Sequence, residues 1–142
     1  MQNKILFIFS LLLSVVTSIP AVAEDLCASL DGRALTVNGN GYKGIAAPFS
    51  PGLSLSKEAD GTYTFVTGIQ FENEELDKLT GTCKDRHIIF KRTREGVFVQ
   101  DYDGWIFERG GDLRGMAGTF AHNGVRKWSW CGQVVVAIPL IK

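Results

Sequence analysis

From residue 87 to residue 131 the chain alternates apolar and polar residues in short runs, with glycine-bearing turns between them. A period of two is the mark of a half-buried strand. Over residues 87–92 it places Ile88, Phe90 and Arg92 on one face. The turn Thr93-Arg94-Glu95-Gly96 leads into a second strand from Val97, with Phe98, Gln100, Tyr102 and Ile106 on one face and Val99, Asp101 and Asp103 on the other. Gly104 lies inside that strand and predicts a bulge that turns Trp105 and Phe107 inward. After Gly110-Gly111, a third strand carries Met116, Gly118 and Phe120 on one face. Asn123-Gly124 predicts a tight hairpin into a fourth strand, where Trp128 and Trp130 share a face and Arg126 stands at the rim.

The flanking chain follows the same pattern. Residues 33–37, 53–57, 62–67 and 79–83 each read as a strand. Gly68 predicts a second bulge, after which Ile69 and Phe71 continue the apolar face of Tyr63 and Phe65. Residues 42–52 hold Pro48 and Pro51 and read as the longest loop. Residues 72–78 are acidic and read as one helical turn capped by Asn73. Residues 133–138 are too apolar for an exposed edge and are expected to pair with the first strand. The fold class is therefore all-β. A small antiparallel up-and-down β-barrel of about eight strands removes the edges such a chain would expose. A two-sheet β-sandwich is the alternative.

Residues 1–23 stand apart from this pattern. Lys4 gives a positive start, residues 5–16 are an apolar run broken only by Ser10 and Ser14, and Ala21-Val22-Ala23 is a small-residue cleavage site. This is the pattern of a secretory signal peptide, too short for a membrane span. Residues 24–142 then form a single domain in the periplasm or beyond. Loss of Lys4 leaves 14 basic residues of the original 15 against 15 acidic ones. A net charge so near zero gives no reason to expect a nucleic-acid partner or stable membrane insertion of the mature chain.

Export places Cys27, Cys83 and Cys131 where disulfides persist. One bond and one leftover thiol allow three pairings. Cys27 is expected in the bond, because tying down a lead-in segment gains most, and the odd thiol is expected to be buried. Simple alternation of strand direction puts Cys83 and Cys131 at the same rim of the barrel.

Candidate chemistry is sparse. His87 and His122 lie at strand ends without metal-ligand spacing, and no nucleophile elbow or GxGxxG is present. Asp101-Tyr102-Asp103-Gly104 is a fragment of a calcium loop without its remaining ligands. No catalytic residue, metal or cofactor is expected. The run Lys91-Arg92-Thr93-Arg94 invites a polyanion reading, but alternation splits it between two faces. The informative set is polar and inward: Arg92 and Gln100 share parity with Phe90, Tyr102 and Ile106. Such groups must be paired, wet or holding a ligand. Either they form a network closing one end of the barrel, with Arg92 against a tryptophan face, or they anchor a ligand between walls from Tyr102, Trp128 and Trp130.

Leu79-Thr80-Gly81-Thr82-Cys83 resembles the strand-ending segment of avidins that holds one half of their disulfide, and Cys27-Ala28-Ser29-Leu30 resembles the other half. With its exported length, meander pattern and glycine turns, the chain is similar to calycin-type small barrels, the avidins and lipocalins. The tryptophan placement differs from avidins, and the lipocalin Gly-x-Trp opening is replaced by Asp31-Gly32-Arg33-Ala34, so the resemblance implies architecture and not biotin binding. The expected function is an exported, non-enzymatic binding protein that holds a small, partly apolar ligand inside the barrel at Arg92, Gln100, Tyr102, Trp128 and Trp130. The alternative is an exported protein-binding module, such as a hydrolase inhibitor, acting through the 42–52 loop around Phe49.

Overall fold

A computed structural model describes residues 25–39, 42–46, 52–71, 75–109, 114–122 and 124–136. The expected signal peptide, residues 1–23, lies outside the described residues.

Among the described residues the chain forms nine antiparallel strands and one short 3-10 turn. The strands are β1 (Arg33–Gly39), β2 (Tyr42–Ala46), β3 (Leu55–Lys57), β4 (Tyr63–Phe71), β5 (Leu76–Lys84), β6 (His87–Arg94), β7 (Val97–Glu108), β8 (Arg114–His122) and β9 (Val125–Val136). Each of β4 to β9 pairs with the next in sequence, β9 returns to β1, β1 pairs with β2, and β2 pairs with β4. The result is a closed up-and-down barrel of eight strands, with β3 beside the first half of β4. The valine run closes on β1 through Val134 opposite Leu35 and Val136 opposite Arg33, as its hydrophobicity requires.

β2 and β3 divide one position in the wall. β2 pairs with the upper half of β4, from Gly44 opposite Phe71 to Ala46 opposite Ile69, and β3 with the lower half, from Leu55 opposite Phe65 to Lys57 opposite Tyr63. Below β2, Leu53 bonds the start of β1, accepting from Gly32 N–H and donating to Arg33 O. Residues 42–46, expected in a loop, are therefore strand.

The acidic stretch also differs from expectation. β5 starts at Leu76, so residues 76–78 are strand rather than helical turn, and Asp77 shares the inner face with Leu79 and Cys83. The expected cap, Asn73, lies outside the described residues. The β4–β5 ladder runs through Gly68 opposite Lys78 without a shift, so there is no bulge at Gly68.

The barrel has two unlike ends. At one, the segment of Leu26, Cys27 and Leu30 lies buried against the core, and the Cys27–Cys83 disulfide ties it to β5. Asp25 reinforces it by accepting from Tyr63 Oη at 2.8 Å and from Cys27 N–H at 3.1 Å. The other end gathers the finish of β6 and β8 and the start of β5, β7 and β9, where Arg94, Gln100 and Trp128 are half-buried. Between the ends, the inner residues of β1 and of β4 to β9 pack into one apolar core, with Leu55 of β3 against it.

Candidate functional site

The inner wall holds a row of four rings at one level. Phe90 on β6 is in register with Tyr102 on β7, Tyr102 with Phe120 on β8, and Phe120 with Trp128 on β9. Successive rings stack, with centroids 4.5, 5.4 and 5.3 Å apart and planes within 24°. Trp130 meets Phe90 and Tyr102 edge-on from below, at 5.2 and 6.0 Å. Such pairs each add about 0.5–1.5 kcal/mol beyond area burial.

Trp130 fits because Gly104 faces it. A Cβ on Gly104 would lie 2.6 Å from both Trp130 Cζ2 and Ala117 O. This close approach explains the glycine, and the expected bulge at Gly104 is absent: the β7–β8 ladder is continuous there. The bulge sits earlier on β7, where Arg92 opposes Gln100 but Thr93 opposes Phe98, leaving Val99 as the extra residue. Phe98 is thereby turned out and exposed, against expectation, and Trp105 and Phe107 stay outside at 57% and 42% exposure.

The polar course lies one step further from the Cys27–Cys83 disulfide. Arg92 donates from Nε to Asp77 Oδ2 at 2.5 Å and from Nη1 to Gln100 Oε1 at 3.1 Å. Tyr102 Oη donates to the same Gln100 oxygen at 2.8 Å. Arg94 grips Asp77 from its other side, Nε to Oδ1 at 2.8 Å and Nη2 to Oδ2 at 3.1 Å. The aromatic partner of the Arg92 guanidinium is Phe71, whose ring centre is 4.1 Å away, and not a tryptophan. Burial pushes the Asp77 carboxyl up, but the hydrogen bonds from Arg94 and Arg92 outweigh it and hold it below the usual carboxylate range.

All five expected ligand residues thus lie on one stretch of inner wall. Arg92, Gln100 and Tyr102 form a hydrogen-bonded chain, Trp130 packs beneath Tyr102, and Trp128 reaches Tyr102 through Phe120. Asp77 was missed by sequence reasoning. Its parity with Leu79 was the signal, hidden by the acidic residues before it.

The cysteines divide clearly. Cys27 and Cys83 form the bond and are buried, as such bonds persist in oxidising compartments. Cys131 is exposed, against expectation. It is in the middle of β9 opposite Ala117, with outward parity, and not at the rim with Cys83. His87 bonds Asp103 at 2.7 Å and stacks on Trp105 at 4.7 Å, while Asp101 pairs with Arg126 at 3.2 Å. Among the described residues no group of His, Cys, Asp or Glu is arranged to hold a metal ion, and no helix is long and apolar enough to cross a membrane.

The chain matches no protein-family model, no curated protein and no solved structure.

Proposed function

We propose that the protein is an exported, non-enzymatic carrier of a small, partly apolar ligand, bound at the end of the barrel away from the Cys27–Cys83 disulfide. The observation that carries this reading is the asymmetry of the two ends. One is filled by Leu26, Cys27 and Leu30 and pinned by a disulfide, while the other keeps Trp128 and Gln100 half-buried above a stacked aromatic row. An aromatic wall beside a few placed polar groups is the usual make-up of a small-molecule site. The calycin-type likeness and the secretory pattern of residues 1–23 support the same reading. Tyr102 and Trp130 form the packed floor, and Arg92, Gln100 and Trp128 are the residues nearest the ligand. Native mass spectrometry of unreduced protein from its own secreted fraction tests this. A small-molecule adduct on wild type, absent from Trp128→Ala, is expected; a bare wild-type chain contradicts it.

One observation favours the second reading, a protein-binding module. Trp105, Phe107, Ile89 and Val66 are exposed on the outer wall, and a groove of about 350 Å³ on that wall is lined by Val66, Thr80, Thr82, Ile89 and Lys91. Exposed apolar surface of this kind marks interaction sites. In this reading the outer wall joins the 42–52 segment as the docking surface; Phe49 lies outside the described residues. Co-purification of a second protein, lost on Trp105→Ala but kept on Trp128→Ala, would favour it over the carrier.

A further inference from the structure

Gln100 is held in one orientation by its neighbours. Its Oε1 accepts from Arg92 Nη1 at 3.1 Å and from Tyr102 Oη at 2.8 Å. A guanidinium only donates, so the oxygen and not the nitrogen of the amide must face it. Both lone pairs of that oxygen are then used. The amide nitrogen lies on the opposite side and carries two N–H donors, for which the described residues supply no acceptor. The side chain is half-buried, one course above the stack of Phe120 on Trp128.

We infer that the ligand presents an acceptor oxygen, of a carbonyl or a carboxylate, to the Gln100 amide N–H groups and lays an apolar plane against Trp128. This rests on the carrier reading above and names the ligand's chemistry. A site that fixes the direction of a donor favours a ligand carrying the matching acceptor over an analogue that lacks it and leaves that donor to water.

The test is a fluorescence titration of the full chain with three probes of one shape: 2-naphthoate, 2-naphthamide and 2-methylnaphthalene. The acceptor-bearing probes are expected to bind about two- to tenfold tighter than 2-methylnaphthalene, the value of one net hydrogen bond. Gln100→Glu keeps an oxygen toward Arg92 and Tyr102 but removes both donors; it is expected to close that gap. The relative affinity of naphthoate and naphthamide separates a carboxylate from a neutral carbonyl ligand. Equal binding of all three probes to wild type overturns the inference and leaves the carrier reading standing, and a gap that survives Gln100→Glu also overturns it. Binding of none overturns both. Should Gln100→Glu fail to fold, Gln100→Met, which also lacks the donors, takes its place in the same comparison.

Discussion

Arg92 on β6 donates its Nε–H to Asp77 on β5 at 2.5 Å, and Asp77 is only 2% exposed. A charge this deep is tolerated because Arg94 binds it too, so each carboxylate oxygen has a donor. Removing the charge leaves two guanidiniums without their shared partner. Asp77→Asn is expected to cost about 3–5 kcal/mol at neutral pH. The carboxyl is held below its ordinary value, so its contribution is complete above the unfolded value of 3.8 and is lost as the pH falls through the lowered folded value. Urea midpoints of wild type and Asp77→Asn should therefore differ widely at pH 7 and draw together as the pH falls below 3.8. A gap independent of pH would contradict this.

Filling the space at Gly104 should strain the aromatic floor. A Cβ there meets Trp130 Cζ2 and Ala117 O, both at 2.6 Å. Gly104→Val is expected to lose about 1–3 kcal/mol and to alter tryptophan emission. Adding Trp130→Leu should restore only part of the loss, because the Ala117 carbonyl still blocks the methyls. Chemical denaturation followed by fluorescence checks both.

The plugged end depends on its covalent tie. Cys27 and Cys83 are separated by 56 residues, and closing a loop of that size stabilises by about 4 kcal/mol in the chain-entropy model. The double variant Cys27→Ala/Cys83→Ala should lose about that much in urea, and wild type in excess reductant should approach it.

Cys131, in contrast, stands on the outer wall. A thiol-specific reagent should label one site per native chain within minutes, and Cys131→Ser should abolish labelling while changing stability by less than about 0.5 kcal/mol. Native labelling that persists in Cys131→Ser would mean that the buried disulfide is open.

Alternation alone showed which face most strands bury. Ile88, Phe90 and Arg92 on β6, and Trp128 and Trp130 on β9, all point where their parity put them. The barrel and the return of the valine run to β1 followed from the need to hide edges. What was not legible depended on partners distant in sequence. Gly104 looked like a bulge because nothing local shows that Trp130, 26 residues on, needs the space. The register instead shifts at Val99 on β7 and at Lys127 on β9, residues with no special backbone freedom. Asp77 looked like part of a solvated acidic turn until two arginines from β6 were seen on it. The candidate residues were found by parity, while the Gln100 orientation needed the geometry of Arg92 and Tyr102.

The most direct test of the account is where a ligand touches the barrel. Amide and indole NMR spectra of the isotope-labelled chain, titrated with 2-naphthamide, should shift at Gln100, Phe120 and the Trp128 indole. Cys27 to Leu30 at the plugged end and Trp105 on the outer wall should stay still. Shifts confined to Trp105 and its neighbours, or to the plugged end, would contradict a carrier that binds beside Gln100 and Trp128.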